Sequence, residues 1–151
     1  MNMNIETIPE YKIIYVRHVG PYGDSNVQTM ESLKSWAKSN SLLNDASIIL
    51  GIARDNPKTT EPENCRYDTC IVVSDDYSLN DVNVHNGKIE GGKYAVFEIS
   101  HTAMAVQKAW NEIFEQVFEA KIKFDESRPI LERYKAEMVK KHLCEICVTI
   151  Q

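Results

Sequence analysis

The chain has 151 residues, 43% hydrophobic and 26% charged, which fits one globular domain with its own core and excludes a disordered segment. Its formal net charge of -5 excludes nucleic-acid binding through the phosphate backbone, which needs clustered Lys and Arg; Lys135, Lys140 and Lys141 are too sparse. No apolar run approaches the roughly 20 residues that span a bilayer, and the polar segment starting at Met1 lacks the apolar core of a secretory signal, so the expected location is the cytoplasm.

The first predicted strand is "YKIIYVRHV", Tyr11 to Val19, rich in β-branched and aromatic residues and closed by "GPYG" at 20 to 23. A helix follows, with Ser25 and Gln28 at capping-box spacing and Val27, Met30, Leu33, Trp36 and Ala37 as its apolar stripe, ending near Asn40. The run "SIILGIAR", Ser47 to Arg54, reads as a buried strand. "DNPKTTEPEN", Asp55 to Asn64, is a loop by its prolines and polar residues, and "CRYDTCIVVS", Cys65 to Ser74, is a third strand. Asp75 to Gly92 is a polar connection with a short hairpin expected around Asn86-Gly87.

The pattern then repeats. "GKYAVFEIS", Gly92 to Ser100, is a strand, and Thr102 to about Ala120 is a helix with Val106, Trp110, Ile113, Phe114 and Val117 on one side. "RPILERYK", Arg128 to Lys135, favours extended backbone, and the last strand runs from about Leu143 to Ile150. The fold class is therefore α+β: a tandem β-α-β-β repeat, about 5–74 and 91–151, with antiparallel sheet, two main helices, pseudo-twofold symmetry and a central ligand groove.

Within "RPILERYK", strand alternation puts Ile130, Glu132 and Tyr134 on one face, so a carboxylate stands between an aliphatic and an aromatic side chain. Such a setting strips water from the acid and raises its pKa. Three readings stand open: Glu132 anchors a cationic ligand, it acts as a general acid or base, or it has a plain structural place, in an exposed edge strand or paired with Arg66, Arg128 or Arg133. Tyr22, Tyr67, Tyr94, Phe97, Trp110 and Tyr134 are aromatic candidates for the groove, and Met30 and Met104 are adaptable apolar ones. Asp68 follows Tyr67 and must face the other way, which gives it a structural part, bonding a turn.

No metal or cofactor is expected. "CEIC" at 144 to 147 lies in a strand, where residues three apart face opposite sides, so Cys65, Cys70, Cys144 and Cys147 read as buried or edge thiols. His18, His85, His101 and His142 lack metal-ligand spacing, and "GGKY" at 91 to 94 precedes a strand rather than the helix a phosphate loop requires.

In this order over nearly the whole length, "VRHVGPY", "DNP", "CRYDTCI", "GGKYAVFE", Trp110, "RPILERY" and "EICVTI" make the chain resemble the GyrI-like, or AraC-type effector-binding, domain family. The resemblance implies a tandem β-α-β-β fold and a stand-alone member that binds a lipophilic, often cationic, small molecule, with Glu132 matching the family's pocket glutamate. It also implies alternatives: a hydrolase of strained cyclopropane-type electrophiles using Glu132 and Tyr67, or a protein acting on DNA gyrase or with a separate regulator. The sequence departs from the family at "SHTAMA", where a glycine-proline turn is common, and at "QVFEAK", where many members carry a Trp-Leu-Pro ending.

Overall fold

Two periodicities in one chain build two layers, a sheet whose alternate side chains face opposite ways and helices that cover one of its faces. The computed structural model describes residues 2–78 and 81–151; Met1 and two residues of the polar connection after Asp75, Leu79 and Asn80, lie outside them. In chain order the elements are β1 (Asn2–Ile8), β2 (Tyr11–Val19), α1 (Asp24–Ser39), β3 (Ile48–Ala53), β4 (Arg66–Val73), β5 (His85–Ile89), β6 (Gly92–Ser100), α2 (Ala103–Glu119), β7 (Leu131–Lys135), α3 (Ala136–Val139) and β8 (Leu143–Thr149). One eight-stranded sheet has the order β1-β6-β8-β7-β3-β4-β2-β5, antiparallel throughout.

That order contains the repeat. β2-β4-β3 and β6-β8-β7 are the same pairing, joined back to back where β3 meets β7, and each half carries one long helix. At the junction Gly51 of β3 is the partner of Glu132 of β7. The pseudo-twofold axis therefore runs close to the acid singled out above.

Alternation divides the core. Ile14, Ile49 and Ile71 pack under Leu33 and Ala37 of α1, and Phe97, Ile146 and Val148 pack under Ala109, Ile113 and Val117 of α2. Tyr134 touches both clusters, so it stands at the seam between the halves. The intervening residues, among them Ile13, Leu50, Tyr94, Leu131 and Cys147, form a third cluster on the opposite face. Each such apolar side chain taken fully out of water contributes about 1.5–3 kcal/mol.

The two flanking strands differ from the sequence reading. The polar-looking lead forms β1, which pairs with β6 along its length and is strapped down by Glu6, an acceptor 3.2 Å from the guanidinium of buried Arg133. The expected hairpin at Asn86-Gly87 is absent, because both residues lie inside β5, opposite Ile14 and Ile13 of β2. The bare Gly87 also makes room for the Tyr15 ring, 2.9 Å from where its Cβ would be.

Helix α1 starts without the expected capping box. Gly23, at a φ of 137° open mainly to glycine, occupies the N-cap position, and Ser25 falls within the first turn, its carbonyl accepting from the Thr29 hydroxyl. α2 does have a side-chain cap, Thr102 Oγ1 accepting from the Ala105 amide at 3.1 Å. Among the described residues no helix is long and apolar enough to cross a membrane.

Candidate functional site

A cavity of about 760 Å3 opens on the helix-covered face, between α1 and the β3–β7 junction. Asn26, Val27, Met30 and Lys34 of α1 form one wall, Ile49, Tyr67, Glu132 and Tyr134 form the floor, and His101 and Lys140 close the sides. Val27, an apolar residue of the helix stripe, is 62% exposed because it borders this opening rather than the core.

Glu132 is the centre of the floor. Its Oε1 accepts from the Tyr67 hydroxyl at 3.0 Å, and its Oε2 accepts from the Tyr134 hydroxyl at 3.0 Å. Burial pushes the carboxyl above its ordinary range, and the two phenols, with a smaller contribution from the Trp110 side chain, offset only part of that. Burial and the adjacent carboxylate likewise push both phenols upward, so they remain donors at any physiological pH.

The arginines that could have neutralised Glu132 are engaged elsewhere. Arg66 bonds Asp55 at 2.9 Å, Arg128 bonds Asp125 at 2.8 Å, and Arg133, on the opposite face of β7, bonds Glu145 at 2.9 Å. Both structural readings of Glu132 are thereby corrected: the arginines pair elsewhere, and β7 is no edge strand but interior to the sheet, between β3 and β8. Glu132 has donors but no counter-cation among the described residues, and its site opens to solvent through the cavity.

Gly51 makes this arrangement possible. A Cβ at Gly51 would lie 2.1 Å from Tyr67 Oη and 3.2 Å from Glu132 Oε1, so the glycine leaves the space through which the phenol crosses from β4 to β7. A lone glycine in the apolar run "SIILGIAR" is the usual mark of such a close approach, and it was the available signal for this residue.

The other sequence candidates are dispersed. Met30 lines the cavity wall, and Trp110 approaches Glu132 from α2 without lining the cavity. Tyr22 sits edge-on behind Tyr67, ring centroids 6.2 Å apart, but its hydroxyl donates to the Arg66 carbonyl at 2.7 Å and so ties the turn before α1 to the start of β4. Phe97 is 0% exposed in the core beneath α2, out of reach of a ligand in the cavity. Met104 is 84% exposed in the first turn of α2 and does not line the cavity. Tyr94 belongs to the opposite face, its hydroxyl donating to the Glu90 carbonyl.

Asp68 does face away from Tyr67, yet it holds no turn. Its carboxylate is fully buried and accepts from Arg17 Nε at 2.7 Å and Arg54 Nε at 2.9 Å. Cys144 and Cys147 fall in different core clusters, and burial pushes each thiol up to about 12, which keeps both protonated. Asn26, Lys34 and His101 were missed; the first two flank the apolar stripe of α1 at i, i+4 and i+8 with Met30, a spacing that puts all three on one face.

The whole chain, residues 1–151, matches the profile of the GyrI-like small molecule binding domain. The chain belongs to this family. A prophage-derived protein of Bacillus subtilis (strain 168) named as a transcriptional regulator, YosT, is 43% identical to this GyrI-like domain over 153 residues, covering all of both chains. The crystal structure of the EcmrR C-terminal domain superposes with a TM-score of 0.77 over 99% of this chain and 97% of that one, at 16% identity. A protein solved in complex with tetraphenylphosphonium gives a TM-score of 0.61, also at 16% identity, over 100% of this chain and 94% of that one. At such identities the two structures share the fold of this GyrI-like domain.

Proposed function

We propose that this GyrI-like domain is an effector-binding module whose cavity holds an apolar or cationic small molecule, with Glu132 as its polar anchor. One observation carries the reading: a partly desolvated carboxyl lies on the floor of an open cavity, fixed by two phenols and lacking a basic partner among the described residues. A cation entering the cavity supplies the missing charge, and the faces of Tyr134 and His101, 5.4 Å apart between centroids, add cation-π and dispersion contacts. The regulator name of YosT fits a domain that reports ligand occupancy, and the phosphonium complex of a structural relative fits a lipophilic cation as the occupant.

Hydrolysis of a strained electrophile is the second reading, favoured by a carboxyl raised above its usual pKa beside a phenol donor. Both carboxyl oxygens already accept from phenols, which favours holding a charge over taking a proton from water.

Thermal-shift measurements with tetraphenylphosphonium on wild type and Glu132→Gln test the proposal. The expected result is stabilisation of the wild type and a much smaller response of the variant, since the ligand's charge then lacks its partner. No stabilisation of the wild type, or an equal response of the two, overturns it.

A further inference from the structure

α1 presents three residues to the cavity at i, i+4 and i+8: Asn26, Met30 and Lys34. Met30 is apolar, but the residues one turn to either side of it are polar. Asn26 Oδ1 is buried without a hydrogen-bond partner among the described residues. Lys34 is half-buried and, among the described residues, has no carboxylate within ion-pair distance, whereas the other lysine of the lining, Lys140, is paired with Asp45. Glu31 stands one turn before Lys34 on the cavity rim but is exposed and does not reach it.

Lys34 and His101 both line the cavity, near enough for the Lys34 charge to act on the imidazole. Burial, Lys34 and His142 together push the His101 imidazole below its ordinary value, so at neutral pH it is neutral and the positive charge of this wall belongs to Lys34. The His101 ring in turn packs at a tilt against Tyr134, whose hydroxyl donates to Glu132. One cavity thus presents an acid on its floor and an uncompensated ammonium on its helical wall, separated by aromatic surface.

We infer that the cavity selects amphoteric ligands, molecules that carry an anionic group for Lys34 as well as an apolar or cationic body for the floor. This rests on the proposed binding function and adds a specificity residue to it. A lipophilic cation alone leaves Lys34 unpaired and is weakly repelled by it; the same body bearing a carboxylate satisfies both ends. Lys34 donates to that carboxylate.

Rhodamine B, a zwitterion with a free carboxylate, and its ethyl ester, a cation of nearly the same shape, form the test pair. Fluorescence anisotropy is read for wild type, Lys34→Met, Lys34→Arg and Glu132→Gln. Expected are tighter binding of the acid than the ester by wild type, loss of that preference by about tenfold in Lys34→Met, and its return in Lys34→Arg. The ester is the comparison ligand: it carries no anion for Lys34, so in Lys34→Met it loses only a weak repulsion and its affinity changes far less than that of the acid.

Equal or tighter binding of the ester by wild type, or a preference that survives Lys34→Met, overturns the inference while leaving the role of Glu132 intact. Ester binding that is unchanged in Glu132→Gln overturns the anchor reading instead, and a Lys34-dependent preference for the acid then still stands. Failure of wild type to bind either dye overturns both.

Discussion

Gly51→Ala is the substitution on which the geometry of the site makes its sharpest demand. The new methyl carbon would lie 2.1 Å from Tyr67 Oη and 3.1 Å from Tyr67 Cζ. Tyr67 is only 6% exposed, so its ring cannot swing into solvent without leaving the core. Relief therefore moves the hydroxyl away from Glu132 and breaks the 3.0 Å bond between them. Overpacking by one methyl group costs about 1 kcal/mol and a lost hydrogen bond to a charged group about 2 kcal/mol, so about 3 kcal/mol in all is expected. For a chain of this length that is a fall in Tm of roughly 6–12 °C.

The assay is a double-mutant cycle by thermal or urea unfolding with Tyr67→Phe. Phenylalanine has no hydroxyl to collide with the methyl and no bond to lose, so Gly51→Ala in that background should cost about 1 kcal/mol, leaving a coupling of about 2 kcal/mol. A cost of Gly51→Ala that is the same in both backgrounds would refute the claim that the glycine exists to pass the phenol to Glu132.

Asp68 and Glu132 should respond to pH in opposite directions. Burial raises Asp68, but the bonds from Arg17 and Arg54 outweigh it and hold the carboxyl below its ordinary value; its stabilisation is therefore full above its unfolded pKa and is lost as pH falls through the folded one. Asp68→Asn should cost about 2 kcal/mol at neutral pH, less than a fully buried pair because both arginines reach solvent, and the deficit should shrink in acid unfolding titrations. Glu132 is raised, so the native state is favoured below the unfolded pKa and penalised as pH rises through the folded one. Glu132→Gln should gain stability relative to wild type from acid toward neutral pH in scanning calorimetry; a gap that is independent of pH would show that the acid is not desolvated.

The repeat was legible because helix stripes and strand alternation are local signals: Leu33 and Ala37, then Ile113 and Val117, do face the sheet. The pairing of Glu132 with Tyr134 was legible for the same reason, since i and i+2 share a strand face. What was not legible depends on partners far along the chain. "NMNIETI" becomes β1 only because β6 offers an edge and Arg133 awaits Glu6. "HNGKI" reads as a turn in isolation, and β2 overrides that preference. Phe97 and Tyr67 have equal claims as aromatic strand residues; only the sheet order puts one under α2 and the other at the junction. Polar Asn26 and Lys34 beside an apolar stripe read as a solvated helix flank, and it is the gap between α1 and β7 that turns them inward.

The central claim, a desolvated Glu132 whose negative charge is completed by a ligand's positive one, is tested most directly by counting protons during binding. Calorimetric titration with tetraphenylphosphonium, in buffers of different ionisation enthalpy between about pH 4 and pH 8, gives that count. The account predicts a window above the ordinary glutamate range in which binding releases a fraction of a proton, and no release from Glu132→Gln. Tight binding with no proton release from wild type at any pH, or with equal release from the variant, would contradict it.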